Sequence, residues 1–291
     1  MPEGVVVRSL AGFFDVSDGD TVRRCRARGV FRKRGVTVLV GDRVTYEPMG
    51  AAEGVIQSVL PRTTELIRPP VANVDQALLV FSLVDPDFLP HLLDRMLVVV
   101  TAAGLRPAIV ITKTDLADAK QVERVMRVYQ AAGYDVCPTA TKAGAGVDAV
   151  RTLLRGRVTV MAGPSGVGKS TLANALDPGL GVKMGEVSEK LGRGKHTTRH
   201  VELFKLAEDT YIVDAPGFSQ LEIGLAPAEV RDYFPEFAAF APACPYRGCL
   251  HMEEETCAVK DAVARGQIDE TRYRSYAAFV QELREKEERR Y

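Results

Sequence analysis

The chain has 291 residues, 46% of them hydrophobic and 26% charged, and 38 basic side chains balance 38 acidic ones to a net charge of zero. This composition is typical of a soluble globular protein. No apolar stretch reaches the roughly 18 to 20 residues that a membrane helix needs, and the first residues lack the pattern of a signal peptide. We therefore expect a cytoplasmic protein without a membrane span. Two or three domains are expected, because domains cluster at about 100 to 200 residues.

Residues 1–70 alternate apolar and polar positions in short runs separated by Gly, Asp and Pro. Such runs predict a small β-barrel, and a five-stranded OB-fold fits the size. Between Val22 and Val40 the charged residues are all basic, namely Arg23, Arg24, Arg26, Arg28, Arg32, Lys33 and Arg34. This basic segment is either a solvated strand face or a surface that contacts nucleic-acid phosphates.

Two further domains are predicted, residues 71–224 and residues 225–291. In the first, continuous apolar runs alternate with segments of helical period such as 117–133. This alternation predicts an α/β domain whose parallel sheet is buried on both faces. The second has aromatic residues, then a Cys-rich segment, then a polar helix from Asp269 onward. We predict that it is mostly helical.

In the segment 107–115, P-A-I-V-I-T-K-T-D, an apolar strand is followed by residues suited to recognising the base of a bound nucleotide. The carboxylate of Asp115 would accept two hydrogen bonds from guanine, whose N1–H and amine form a donor pair that adenine lacks. GTPases usually have N-K-x-D here, so Lys113 keeps the pattern and Thr112 departs from it. A second base-contacting loop is predicted at residues 139–141, T-A-T, with Lys142 close behind.

The strongest motif is G-P-S-G-V-G-K-S at residues 163–170, between an apolar strand and a helical segment. Glycines in this context let backbone N–H groups converge on phosphates at a helix N-terminus. Lys169 is expected to reach the β- and γ-phosphates and the Ser170 hydroxyl to bind Mg²⁺. A Gly-rich turn without function is the alternative. The predicted phosphate-binding residues are Gly163, Pro164, Ser165, Gly166, Val167, Gly168, Lys169, Ser170 and Thr171.

A further strand is followed by D-A-P-G at residues 214–217. Asp214 is expected to hold Mg²⁺, usually through water, and the N–H of Gly217 to sense the γ-phosphate. In Ras-like GTPases the base motif comes late, whereas here T-K-T-D precedes the phosphate motif. The order predicts a circularly permuted GTPase, which is tolerated when the old termini lie close together.

The five cysteines divide unevenly along the chain. Cys25 and Cys137 stand alone and are predicted to be ordinary thiols, because a cytoplasmic protein seldom uses disulfides. The other three form C-x₄-C-x-H-x₅-C with a histidine. Three thiolates and one imidazole suit tetrahedral Zn²⁺, and a full ligand set predicts a structural site. The four predicted ligands are Cys244, Cys249, His251 and Cys257.

The chain resembles, over essentially its whole length, the RsgA/YjeQ family of circularly permuted bacterial GTPases. The resemblance is carried by the barrel ending V-L-P-R-T-T-E-L-I-R-P, the permuted motifs, G-R-G-K-H-T-T-R-H at residues 192–200, and the cysteine and histidine cluster at residues 244–257. It implies GTP hydrolysis stimulated by the small ribosomal subunit, contact with rRNA, and a role in late subunit maturation. The implied cofactors are GTP or GDP, Mg²⁺ and one Zn²⁺ per chain.

Hydrolysis requires a group that orients water, and Phe218 stands where Ras-like enzymes have Gln. His196 is the candidate, and the resemblance assigns it this role; an exposed histidine without function is the alternative. Lys169 and Thr198 are predicted to act with it. Either Thr197 or Thr198 would complete the Mg²⁺ shell.

Two other function classes compete with a ribosome-dependent GTPase. In a P-loop kinase that acts on a small metabolite, the barrel and the predicted zinc site would serve only as scaffolding. In an RNA-binding module, the nucleotide would be bound as a structural element and not hydrolysed. The basic barrel and the lack of a recognisable lid or acceptor motif favour the GTPase. A monomer is the default expectation.

Overall fold

The computed structural model describes residues 1–19, 21–29, 31, 35–67, 70–178, 180, 201–214 and 222–289, without the side chains of Ile67 and Asp214. The chain divides into two compact units. Unit 1 contains Met1–Leu78, Thr141–Ala162 and Gly168–Ser219, and unit 2 contains Leu79–Ala140, Gly163–Val167 and Gln220–Tyr291. The three predicted domains and their boundaries stay a prediction.

The strands and helices are numbered in chain order. The strands are β1 (Glu3–Leu10), β2 (Phe13–Ser17), β3 (Val22–Ala27), β4 (Arg43–Met49), β5 (Glu53–Val59), β6 (Glu65–Ile67), β7 (Pro70–Ala72), β8 (Gln76–Ser82), β9 (Arg106–Thr112), β10 (Asp135–Pro138), β11 (Val158–Ala162), β12 (Glu202–Ala207) and β13 (Thr210–Asp214). The helices are α1 (Pro90–Ala102), α2 (Ala119–Ala131), α3 (Val147–Leu154), α4 (Lys169–Leu176), α5 (Ala258–Ala264) and α6 (Glu270–Glu288). Short 3₁₀ helices cover Thr141–Ala143, Pro227–Tyr233, Pro235–Phe237 and Ala241–Ala243.

Strands β1 to β5 form a closed barrel in unit 1. They are ordered β1-β2-β3-β5-β4, and β4 pairs back onto β1. Alternate residues point inward because side chains along a strand alternate between its two faces, and the buried cluster includes Val6, Val16, Cys25, Tyr46 and Ile56. The predicted OB-like barrel is confirmed, and Cys25 lies in its core.

The rest of the sheet in unit 1 continues from the barrel. β12 meets β1 at the pair Arg8 and Glu202, and β13 pairs with β12 in antiparallel and with β11 in parallel orientation. Because β11 and β13 are parallel neighbours, the segments that follow them start at the same edge of the sheet. Those segments are the phosphate motif and D-A-P-G.

In unit 2, β9 lies between β8 and β10, and β9 and β10 are parallel. All residues of β8 are buried, which explains the uninterrupted apolar run. A core cluster joins Val98 of α1 to Phe234, Phe237, Tyr276 and Phe279. The predicted polar helix is therefore only partly polar, because α6 buries one face: Arg272, Ser275, Tyr276, Phe279, Val280 and Leu283.

A charged network is buried in the same unit. Arg272 of α6, 1% exposed, donates to Asp94 of α1 at 2.6 Å and to Glu236 at 2.7 Å. The hydroxyl of Tyr129 on α2 donates to the same Asp94 oxygen at 2.9 Å, and the guanidinium lies 4.6 Å from the Phe234 ring centroid. Three separate segments are thereby joined by one cation.

In the part of the chain that the structure describes, no helix is long and apolar enough to cross a bilayer.

Candidate nucleotide and metal sites

The phosphate loop, residues 163–170, joins β11 to α4. Gly163, Gly166 and Gly168 have φ angles of +145°, +80° and +96°, which residues with a side chain rarely adopt. A Cβ on Gly163 would lie 2.0 Å from the carbonyl oxygen of Val80, so only glycine fits. The first N–H groups of a helix have no partner within the helix. The loop and the start of α4 therefore have the backbone geometry of a phosphate site.

Lys169 and Ser170 are the first two residues of α4. Burial lowers the pKa of Lys169, because a partly desolvated ammonium is less stable than one in water. Phosphate oxygens beside this ammonium would favour its charged form and reverse the shift. Ser170 is exposed, so its hydroxyl is accessible. Both residues suit the roles predicted for them.

Asp214 is the last residue of β13, at the sheet edge where β11 leads into the phosphate loop. Asp214 and the last residues of β11 therefore end at the same edge of this sheet. The other predicted residues of the γ-phosphate side, Gly217, His196, Thr197 and Thr198, lie outside the described residues.

Thr112 ends β9 and is 2% exposed. Its hydroxyl oxygen lies 2.5 Å from the carbonyl oxygen of Val167 in the phosphate loop and 3.1 Å from that of Phe81. A hydroxyl has a single proton, and it donates to the closer acceptor. The residue that departs from the usual GTPase pattern therefore ties the base motif to the phosphate loop.

Lys113, next in the motif, has a φ angle of +55°, and its ammonium donates to the carbonyl oxygen of Asp85. The N–H of Thr114 donates to the Thr139 carbonyl at 3.2 Å, and the N–H of Thr139 donates to the Ile111 carbonyl at 2.7 Å. The T-K-T-D and T-A-T segments thus lie side by side, as expected of two base-contacting loops. Asp115 is exposed beyond the strand end.

Replacing Thr112 with Val keeps the side chain's shape but removes the donor to Val167. An unsatisfied buried carbonyl costs about 1–3 kcal/mol, which would destabilise the phosphate loop in the conformation that binds GDP, so we expect the affinity for GDP to fall about tenfold. Thr112→Ser retains the hydroxyl and is the matched control. Titration with a fluorescent GDP analogue measures both variants, and wild-type affinity in Thr112→Val would contradict a role for this bond.

The four predicted zinc ligands converge in unit 2, and their ligand atoms all lie within 4.8 Å of one another. The Sγ of Cys257 is 3.9 Å from the Sγ atoms of Cys244 and Cys249. The Nδ1 of His251 is 3.6 Å from the Cys244 sulfur and 3.3 Å from the Cys257 sulfur. A tetrahedral zinc ion with Zn–S bonds of about 2.3 Å separates its ligand sulfurs by about 3.8 Å. The donor set and its spacing fit zinc.

Burial shifts the pKa values of two of these ligands in opposite directions. It raises the pKa of Cys249 to about 12 and lowers the pKa of His251. The imidazole is thereby neutral, as a ligand must be, whereas the thiols need a positive charge nearby to ionise. A bound metal would provide it.

Neighbouring side chains fix the backbone of the ligand loop. The hydroxyl of Tyr273 donates to the His251 carbonyl at 2.7 Å, that of Tyr276 donates to the Leu250 carbonyl, and Arg231 donates to the Cys249 carbonyl at 2.9 Å. Glu254 accepts from the N–H groups of Leu250 and Met252. The geometry of the cluster is therefore held by protein contacts as well as by any metal.

Sequence reasoning did not find these supporting residues, nor Asp85 beside Lys113. For α6 a signal existed, since Tyr273, Tyr276, Phe279 and Val280 recur at helical spacing. For Asp85 none existed, because its contact uses a backbone carbonyl that any residue would offer.

Comparison with known proteins places these motifs in one family. The profile of the RsgA GTPase family matches residues 59–224, and that of the RsgA N-terminal domain matches residues 3–56. A protein of Geobacillus kaustophilus called small ribosomal subunit biogenesis GTPase RsgA is 49% identical over 293 residues, covering 99% of this chain and 100% of that protein. A protein of the same name from Halalkalibacterium halodurans is 45% identical, with full coverage of both chains.

Two crystal structures resemble the fold. YjeQ from Thermotoga maritima superposes with a TM-score of 0.84 at 36% identity, covering 97% of this chain and 98% of its own. YloQ, described as a circularly permuted GTPase, gives a TM-score of 0.81 at 38% identity and covers 98% and 96%. The permuted order predicted from the motifs is confirmed. The chain belongs to the RsgA GTPase family and is a GTP-hydrolysing enzyme.

Proposed function

We propose that this enzyme hydrolyses GTP in the late maturation of the small ribosomal subunit, binds the subunit's rRNA and dissociates after hydrolysis. The observation that carries the proposal is the full-length identity of 45–49% to proteins named for biogenesis of that subunit. Ribosome assembly would place the protein in the cytoplasm.

We assign each part of the nucleotide, and its Mg²⁺, to different residues. The phosphate loop and Lys169 would bind the phosphates, supported by the positive-φ glycines and the partly buried ammonium. Asp115 and Lys113 would select guanine, with Thr112 holding their strand end to Val167. Ser170 and Asp214 would hold Mg²⁺, which neutralises phosphate charge when bound. His196 would orient the attacking water, and Thr197 or Thr198 would complete the Mg²⁺ shell.

The barrel offers a surface for RNA. On β3, Arg24 and Arg26 lie 5.9 and 4.9 Å from the ring of Phe13 on β2. Arg24 also pairs with Asp15 at 3.4 Å, whereas among the described residues Arg26 has no carboxylate partner. Cations combined with a half-buried aromatic ring suit phosphates and unpaired bases. Arg23 is different, since Asp18 holds it at 3.0 Å.

We also assign zinc to Cys244, Cys249, His251 and Cys257, as a structural ion that would stabilise the segment between them. The proposal is supported by sulfur separations of 3.9 Å. With all four positions filled by protein, no position stays open for a substrate.

The decisive experiment is GTP turnover by the purified enzyme alone, with small ribosomal subunits and with large ones. We expect small subunits to raise turnover at least tenfold and large subunits to do little. A kinase, or an RNA-binding module with a structural nucleotide, would show no stimulation of GTP turnover by small subunits. That result would contradict the proposed role in subunit maturation.

For His196 the test is substitution by Ala. Stimulated turnover should fall by about 10² to 10⁴, the usual contribution of a positioned acid or base, while co-sedimentation with small subunits persists. Retained turnover together with retained binding would show that another group orients the water.

A further inference from the structure

The loop 83–89, between β8 and α1, is fixed at both ends. The half-buried ring of Phe88 meets Phe81 of β8 and Tyr129 of α2 edge to face, with ring centroids 6.1 and 6.3 Å apart. Ser82, buried at the end of β8, donates its hydroxyl proton to the Pro86 carbonyl at 3.1 Å. Edge-to-face aromatic pairs and a satisfied buried hydroxyl make the loop conformation specific.

Between these anchors the loop contacts two motifs of the nucleotide site. The carbonyl of Asp85 accepts a hydrogen bond from the ammonium of Lys113. Pro86 lies beside the phosphate loop, since its Cδ is 3.6 Å from where a Cβ on Gly166 would stand. None of the predicted nucleotide-binding residues belongs to this loop.

Lys113 needs such support because its φ of +55° lies in the left-handed region, which costs a residue with a side chain roughly 1–2 kcal/mol. Its long side chain also loses rotamer freedom when it is held in one direction. The Asp85 carbonyl fixes the ammonium, so the carbon stem of Lys113 keeps one direction before nucleotide arrives. Preorganisation of this kind lengthens the residence of a ligand.

We propose that the loop 83–89 is a positioning segment for GTP and GDP, which acts through Lys113 and is anchored by Phe88. Its effect is on how long nucleotide stays bound, because the loop acts through Lys113, a residue of the base motif. Loosening the loop should accelerate nucleotide release and raise KM for GTP, with kcat at saturating GTP unchanged.

The test compares Phe88→Ala with Phe88→Leu, which keeps an apolar anchor. Stopped-flow release of a fluorescent GDP analogue should be about tenfold faster in Phe88→Ala and within about twofold of wild type in Phe88→Leu. Phe240→Ala, which truncates a partly buried ring in the core beside the cysteine cluster, is the control and should release GDP normally. Ser82→Ala should accelerate release to a smaller extent.

A second arm separates positioning from general destabilisation. Lys113→Met alone should also speed GDP release, and adding Phe88→Ala to it should produce little further change, because both act through one contact. Fully additive effects of the two substitutions, unaltered release in a folded Phe88→Ala variant, or a fall in kcat with KM unchanged would each overturn the proposal. These measurements need no ribosomes, so their outcome is independent of the proposed role in subunit maturation.

Discussion

Replacing Lys169 with Ala should lower kcat/KM for GTP at least about a hundredfold, in the range found when a preorganised charge-stabilising donor is removed. The reason is that the ammonium at the start of α4 would supply positive charge to the phosphates in a partly desolvated position. Steady-state phosphate release measures the effect. Lys120→Ala, at an exposed position on α2, removes an equal charge and should be indistinguishable from wild type. Turnover within a few fold of wild type in Lys169→Ala would remove this lysine from the nucleotide site.

The same lysine gives nucleotide binding a pH dependence whose sign can be stated. Burial lowers the pKa of Lys169 below its usual value of 10.5, and bound phosphates would raise it again. Affinity for GDP is therefore full below the pKa of the free enzyme and falls as pH rises from that value through the higher pKa of the complex. In Lys169→Arg the charge persists over the whole range, so the alkaline decline should disappear. A decline of equal size in both proteins would assign it to another group.

Substitution of Cys257 by Ser should release the metal and destabilise the C-terminal part of unit 2 by several kcal/mol. Cys257 is 1% exposed, and its sulfur lies within 3.9 Å of a ligand atom of each of the other three residues. Structural zinc contributes roughly 10–16 kcal/mol of binding free energy in small peptides, part of which the surrounding core would replace here. Elemental analysis should find one zinc per wild-type chain, and hydrogen exchange should show lost protection in the segment 244–257 of the variant.

Cys137→Ser is the matched control for that experiment. Cys137 is a half-buried thiol on β10, outside the cluster, so the variant should keep both zinc and protection. Wild-type protein free of zinc after expression in zinc-supplemented medium would refute the assignment, as would a Cys257→Ser variant that retains one equivalent.

Much of the nucleotide half was predictable because its signals are local. Gly163 and Lys169 belong to a motif whose spacing is fixed by the reach of a backbone loop around phosphate. The apolar strand predicted directly before them is found at Val158–Ala162, since an uninterrupted apolar run is typical of a strand buried on both faces. The zinc ligands were also predictable, because their four side chains carry the chemistry themselves.

The remainder depends on contacts between residues far apart in the sequence. Thr112 departs from the usual base motif, and only the fold shows its contact with Val167, 55 positions away. Arg272 stands in a helix that was predicted to be polar, and only the fold shows that this guanidinium is buried between two carboxylates. Composition of a single segment cannot reveal a partner in another one.

The buried cluster of Arg272, Asp94 and Glu236 limits how this protein can evolve. Removing one member of a buried ion pair costs about 3–5 kcal/mol because a charge is left unpaired, whereas exchanging the whole group for well-packed apolar residues is often neutral. These three residues lie in separate segments. A single substitution at any of them would remove much of the 5–15 kcal/mol that stabilises a typical domain. Among descendants of this sequence the three residues should therefore be inherited as a set, or lost as one, even while the helices around them drift.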